Sequence, residues 1–256
     1  MISEARSYVR AGEACRNPAI EGQAMNVIEL QMTGRLRGGY YTIAEAARIL
    51  RMGTKQPTIR NWLTGNGSEA GPVIARQYPN STNELGFYDL IEIRFIDYFR
   101  RQDVSLQSIR KAAQAARREL EARHPFAMSN VCFVTDRRKI FKLTAEETGD
   151  KRLMEIVSGQ HAMYDVFENF LAKGIEFAPD GLAGRWYPEP TKYPKILISP
   201  KKAHGHPIID PAGVPTRTIF DLWRAENQDK AAVADWFEIG KSDVEQAVEY
   251  ELDLAA

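Results

Sequence analysis

The chain has 256 residues, room for two or three domains of ordinary size, and its 34 Lys and Arg balance 34 Asp and Glu. It is 44% hydrophobic, but no apolar run approaches the ~20 residues of a membrane span, and Met1 to Gly12 lacks the apolar core of a secretory signal. Two cysteines, Cys15 and Cys132, exclude a disulfide framework and a four-ligand zinc site, so a soluble cytoplasmic protein without a cofactor or metal is expected.

The neutral total conceals a gradient. Residues 41–123 hold 13 Lys and Arg against 9 Asp and Glu, whereas residues 205–256 hold 4 against 11. A basic half suits a phosphate backbone and an acidic end suits a protein partner, although merely solvated faces would carry the same charges. Residues 1–39, with Arg6, Arg10 and Arg16, read as a loosely ordered leader.

From Tyr41 the chain reads YTIAEAARILRMGTKQPTIRNWL. Thr42 and Glu45 have capping-box spacing, and Ala46, Ala47, Ile49 and Leu50 supply an apolar face at helical period. Gly53 suits a left-handed turn, and Pro57 sits in the first turn of a second helix, where its missing N–H costs little. Ile59, Trp62 and Leu63 bury that helix and leave Lys55, Gln56, Thr58, Arg60 and Asn61 to solvent. Such a helix pair can place its second helix in a major groove, where Arg, Gln and Asn read base edges. Val73 to Tyr78 and Glu84 to Tyr88 read as the two strands of a hairpin wing, with Arg76, Tyr78 and Tyr88 placed to touch phosphate or sugar. Asp89 is expected to cap a helix with Leu90, Ile93 and Ile96 inward, and Ser105 to cap the next.

This order of elements resembles the DNA-binding domain of the MerR family. The resemblance covers about residues 40–118 and rests on Tyr41-Thr42-Ile43, Thr58-Ile59-Arg60-Asn61-Trp62, Phe87-Tyr88-Asp89, Val104-Ser105-Leu106 and Ile109-Arg110. It implies a winged helix-turn-helix that binds double-stranded operator DNA as a homodimer. The chain departs from the family where Gln102-Asp103 replaces a usual glycine, and where His124-Pro125 cuts short the long helix of the ligand-sensing members.

Beyond Pro125, residues 130–143 (NVCFVTDRRKIFKL) suggest a β-hairpin turning at Asp136-Arg137-Arg138, with Cys132 a core thiol. Thr144 and Glu147 suggest another capping box. Lys151 to Ala172 reads as a helix bent near Gly159, with Met163, Val166, Phe167, Phe170 and Leu171 on its inner stripe and Gly174 closing it. Ile175 to Phe177, Gly184 to Tyr187 and Ile196 to Ile198 are strand candidates. Three helices follow Pro215: Thr216 to Ala225, Asp229 to Phe237, and one capped by Ser242 with Glu245. Their expected inward residues are Ile219, Leu222 and Trp223; Ala232, Val233, Trp236 and Phe237; and Val244, Val248 and Leu252.

The tail resembles a short domain of formerly unknown function carried by VapB-type antitoxins. The carrying residues are Ile196, Ile198, Pro200, Gly205, Pro207, Ile208, Gly213, Val214, Pro215, Thr218 and Ile219. Gly159-Gln160 and Gly181-Leu182-Ala183-Gly184-Arg185-Trp186 match a subgroup with a MerR-like head. That subgroup's partner is a PIN-domain ribonuclease toxin, so the resemblance implies an antitoxin that represses its own promoter and neutralises such a toxin. Asp210-Pro211-Ala212 stands where an arginine is usual before the Val-Pro step.

The expected fold class is therefore α+β and mainly helical. It comprises a 1–39 leader, a winged helix-turn-helix over 40–123, a small α+β module over 125–200 and a three-helix, helix-turn-helix-like domain over 196–256. Enzyme motifs are absent: the sequence has no phosphate-binding loop, dinucleotide fingerprint or nucleophile elbow, and His204-Gly-His206 lacks a carboxylate at ligand spacing. The tail's acidity disfavours phosphate contact and leaves dimerisation or partner binding as its uses. A second reading is a one-component regulator whose 125–200 module senses a small effector through Trp186, Tyr187 and Tyr193.

Overall fold

The computed structural model of the chain describes residues 38–52, 56–65, 71–79, 81, 83–129, 134–158 and 173–255. The leader up to residue 37, the Gly53 turn, Lys55, Cys132 and the Met163–Leu171 stripe lie outside the described residues. The fold is mixed α+β with helices predominating and small antiparallel sheets.

Strand β1 (Tyr41–Thr42) leads directly into α1 (Ile43–Ile49). The Thr42 hydroxyl accepts from the Glu45 N–H, and the Glu45 carboxylate accepts from the Thr42 N–H at 2.8 Å, so the capping box forms as its spacing requires. Helix α1 buries Ile43, Ala46 and Ile49, and α2 (Gln56–Thr64) buries Ile59, Trp62 and Leu63. The two helices pack together through these faces.

The wing differs from expectation. Strand β2 (Glu84–Leu85) pairs antiparallel with β1, with Tyr41 opposite Leu85, and Val73 to Tyr78 is not a strand. The backbone of that stretch is claimed elsewhere. Val73 N–H donates to Trp62 O at 2.9 Å, Arg110 Nε donates to Gly71 O at 3.1 Å and Arg117 Nη1 to Val73 O at 3.4 Å. Arg123 Nη2 donates to Arg76 O. With these carbonyls bound to arginine side chains, the segment offers little strand ladder to β2, whose edge Tyr41 and Thr42 occupy.

Helix α3 (Phe87–Arg101) starts before Asp89, with Gly86 as its N-cap; Asp89 sits one turn in and accepts from Gly86 N at 2.9 Å. Helix α4 (Leu106–Glu119) is capped by Ser105, whose hydroxyl accepts from Ser108 N at 3.1 Å. Between them Asp103 holds a left-handed φ of 61°, a conformation that suits glycine and that Asp tolerates, so the missing glycine leaves the turn intact. Helix α4 ends before His124, and a single 3₁₀ turn (Pro125–Ala127) follows.

Residues 134–148 form helix α5 (Val134–Thr148) in place of the expected hairpin, and Asp136-Arg137-Arg138 lies inside it. Ile140, Phe141, Thr144 and Ala145 are buried while Lys142 and Leu143 are exposed, a spacing only a helix produces. The helix is held by an aromatic stack. Phe141 lies parallel to Phe99 at 5.5 Å, and Phe95 stacks on Phe126 at 3.9 Å between ring centres. Thr144 is accordingly mid-helix and caps nothing; Gly149 (φ 67°) ends the helix, and Asp150 caps α6 (Lys151–Ser158) by accepting from Leu153 N at 3.0 Å.

Strands β3 (Ile175–Phe177) and β4 (Ala183–Trp186) form an antiparallel pair, as the sequence suggests, and a Trp186–Ile198 bridge carries the chain towards a second sheet. That sheet orders β5 (Ile196–Leu197), β6 (Ile208–Ile209) and β7 (Val214–Pro215) consecutively. Helices α7 (Thr216–Ala225), α8 (Lys230–Phe237) and α9 (Lys241–Ala255) follow. Asp229 caps α8 through Ala231 N at 2.8 Å, but Ser242 lies inside α9 and does not cap it. Trp236 and Leu252 are not inward: they are 75% and 48% exposed. At ~100° per residue Leu252 lies ~80° round the helix from Val244, on the solvent side of the stripe formed by Val244, Ala247, Val248 and Leu254.

Two hydrophobic cores result. One runs from Tyr41 through the α3–α5 aromatics to Ile198, and the other joins Tyr193 and Ile196 to α7, α8 and α9. Their seam is polar. Tyr41 donates its hydroxyl to Gly205 O at 2.6 Å, and Arg48 Nη1 reaches the buried Glu251 at 3.2 Å. Gly205 has a φ of 89°, and a Cβ there would lie 2.4 Å from the Tyr41 oxygen, so any side chain would push the two cores apart.

Candidate nucleic-acid interface

Helix α2 presents Gln56, Pro57, Arg60, Asn61 and Thr64 on one exposed stripe, with Thr58 half-exposed at its margin. The apolar residues at Ile59, Trp62 and Leu63 anchor the opposite side, so the stripe follows from helical spacing alone. Among the described residues Arg60 makes no side-chain hydrogen bond or ion pair, leaving its five donors to solvent or a ligand.

The structure does not bring Arg76, Tyr78 or Tyr88 to this stripe as exposed contacts. Arg76 is 9% exposed; its Nη2 donates to Glu84 O at 2.8 Å, and its buried Nε has no acceptor among the described residues. Burial lowers the pKa of its guanidinium, and Asp89 and Glu84 oppose that shift. Tyr78 is equally buried and donates its hydroxyl to Gly39 O. Tyr88 is half-buried with its ring 5.4 Å from that of His124, and burial pushes its phenol above the usual value. The Arg76 and Tyr78 side chains hold the loop in place, and Tyr88 adds its backbone N–H, which donates to Gln77 Oε1 at 2.6 Å.

The same holds for much of the basic charge in residues 41–123. Arg110, Arg117 and Arg123 from one side of the fold bind the carbonyls of Gly71, Val73 and Arg76. Arg94 is largely buried with its guanidinium 5.4 Å from the centre of the Trp186 ring, and Arg51 pairs with Glu189 at 2.6 Å. Sequence counting credits all of them to a phosphate-binding face; tertiary contacts assign them to the architecture.

One constellation escapes sequence reading altogether. Asp89, Glu92 and His124 are all buried, with their ligand-capable atoms within 4.8 Å of one another. The cluster is bound by protein groups. Asp89 accepts from Gln77 N at 2.9 Å and Gly86 N at 2.9 Å, while Glu92 receives His124 Nδ1 at 3.3 Å and Phe126 N at 3.4 Å. Desolvation pushes the Asp89 carboxyl up to about 6, against the pull of these N–H groups and of His124. Both carboxylates are thus occupied, which suits a structural clasp between α3 and the Pro125 turn better than a metal centre. The 32 residues separating Glu92 from His124 hide the pairing from any local motif.

The expected aromatic lining of an effector pocket is absent among the described residues. Trp186 and Tyr193 are core side chains, and Tyr187 accepts from Arg185 Nη2 at 2.6 Å and donates to Asp210 Oδ2 at 3.1 Å. A cleft of about 430 Å³ lies instead between α4 and α5, lined by Arg118, Glu119, Lys139, Ile140 and Leu143 among others.

Residues 196–250 match a family described as a protein of unknown function, DUF433. That segment begins at β5 and ends in α9, so it comprises the three-stranded sheet and nearly all of the helical bundle of the second core. Over 214 residues, covering 77% of this chain and 87% of its relative, the sequence is 25% identical to a Mycobacterium tuberculosis protein named "Putative antitoxin VapB45". The fold is similar to the crystal structure of Rv2018 from Mycobacterium tuberculosis, with a TM-score of 0.62 and 26% identity, covering 81% of this chain and 96% of that one. No described helix is long and apolar enough to cross a membrane.

Proposed function

We propose that the chain is the antitoxin of a toxin–antitoxin system. As a homodimer it binds its own operator through a helix-turn-helix of α1 and α2, and it neutralises a PIN-domain ribonuclease toxin by direct contact. The observation that carries the DNA half is the exposed Gln56, Arg60 and Asn61 stripe on a helix whose other side is buried, since these are the side chains that read major-groove edges bidentately. Thr58 lies at the margin of that face, and Lys55 joins the proposed contacts from its place in the sequence alone. Arg76 and Tyr78 act behind it by fixing the loop, and Tyr88 packs its ring against His124. The likeness to a protein named as an antitoxin supports the regulatory, non-enzymatic half of the reading.

The test is co-expression with the adjoining gene. Antitoxin function requires that the neighbour arrest growth alone, that this chain relieve the arrest and co-purify with it, and that the chain retard its own upstream DNA. A harmless neighbour and no complex would overturn it. The α4–α5 cleft supports one other reading, an effector-sensing regulator, because its volume falls in the range of small-ligand sites. Under that reading a small anion or cation raises the melting temperature and alters operator affinity without any partner protein.

A further inference from the structure

The acidic charge of residues 205–256 is unevenly spent. Glu251 pairs with Arg48, Asp243 with Lys195 at 2.5 Å, and Asp253 with Lys192. Glu245 pairs with Lys230 at 2.5 Å. Asp235, Glu238 and Glu249 are exposed and carry no ion pair among the described residues. Asp235 and Glu238 flank Trp236, the most exposed of the large apolar side chains among the described residues. Helix α9, packed against α8, turns Glu245, Glu249 and the exposed Leu252 outward along one stripe.

Trp236 is not needed to seat its helix, because Val233 and Ala234 bury α8 in the second core. A tryptophan 75% exposed, with the exposed Asp235 and Glu238, unpaired among the described residues, beside it on the chain, has the make-up of an interface anchor within an acidic surface. Nucleic acid is excluded as the occupant by like charge. Charge complementarity selects a basic protein surface.

We infer that the exposed side of α8 around Trp236, Asp235 and Glu238 docks a basic protein, and that this protein is the ribonuclease partner, so the inference rests on the antitoxin reading. An enzyme that cleaves RNA must present cations to a polyanion. An acidic face with an apolar anchor fits that surface and competes with RNA for it.

The experiment measures binding of full-length chain to the purified product of the adjoining gene by calorimetry, at low and high salt. The variants are Trp236→Ala, Trp236→Phe and the pair Asp235→Lys with Glu238→Lys. Trp236→Ala weakens binding about 30-fold or more, and Trp236→Phe retains most of it. The charge reversal slows association and flattens its salt dependence. Melting temperature and operator binding stay as in the wild type, because none of these side chains is buried. Unchanged partner affinity in Trp236→Ala overturns the assignment and leaves the antitoxin reading standing. A dimer that becomes monomeric by light scattering in Trp236→Ala makes this face a self-interface and also overturns it. A wild-type chain that retards its operator but ignores the neighbour's product overturns both the assignment and the antitoxin reading.

Discussion

Replacing Asp89 by Asn isolates the electrostatic cost of the buried clasp. Asp89 is inaccessible to solvent, and its burial moves the carboxyl from 3.8 to about 6. Between those pH values the folded chain retains a proton that the unfolded chain has released. Stability contributed by this group is therefore present below about pH 4 and lost as pH rises through 6. At about 1.4 kcal/mol per tenfold change in acidity, the loss is about 3 kcal/mol. The amide cannot ionise yet keeps an oxygen that can accept from Gly86 or Gln77, so much of the cap geometry survives. Urea unfolding of the full chain at steps from pH 4 to 7 yields two stability curves. Wild-type stability minus variant stability falls by about 3 kcal/mol across that range. A flat or rising difference refutes the argument, and means that the N–H donors and His124 fully compensate the desolvation.

Substituting Arg60 by Ala weakens operator binding by about 1–3 kcal/mol if it reads a guanine, while partner binding is unaffected; gel retardation and calorimetry check the two halves separately. Phe141→Ala removes a fully buried ring from the Phe95–Phe99–Phe126 stack and costs about 3–5 kcal/mol of stability, measured by denaturant unfolding. A cost under 1 kcal/mol would contradict the placement of α5. Glu251 is 2% exposed and accepts from Thr216 Oγ1 at 2.6 Å and Arg48 at 3.2 Å, so Glu251→Ala removes the acceptor that joins α7 to α1 across the seam. It costs about 1–3 kcal/mol, and a thermal scan shows the loss as a lowered midpoint.

Local chemistry was legible wherever a segment answers to itself. The Thr42–Glu45 capping box, Pro57 in the first turn, the Ser105 cap, the Asp229–Phe237 helix and the strand pair around Gly184 all depend on residues within a few positions of one another. The exposed stripe of α2 belongs to the same class, because burying Ile59, Trp62 and Leu63 leaves Gln56, Arg60 and Asn61 nowhere but outside. The two misplaced strands have a common cause in long-range competition. Residues 130–143 have the composition of a hairpin around a polar turn, but an aromatic stack on α3 and at Phe126 rewards the helical spacing of Ile140, Phe141 and Ala145. Val73 to Tyr78 has strand composition, yet arginines from positions 110, 117 and 123 take its carbonyls first.

Charge shows the division most plainly. The sequence by itself determined how many cations stand in residues 41–123, which residues line the outward side of α2, and that the carboxyl-terminal stretch is acidic. Only the tertiary structure decided which charges remain available: Arg76, Arg94 and Arg117 serve the interior, whereas Arg60, Asp235, Glu238 and Glu249 face solvent. A side chain's type fixes what it can bond, but whether a partner already occupies it depends on residues dozens of positions away, brought near by packing that no local pattern encodes.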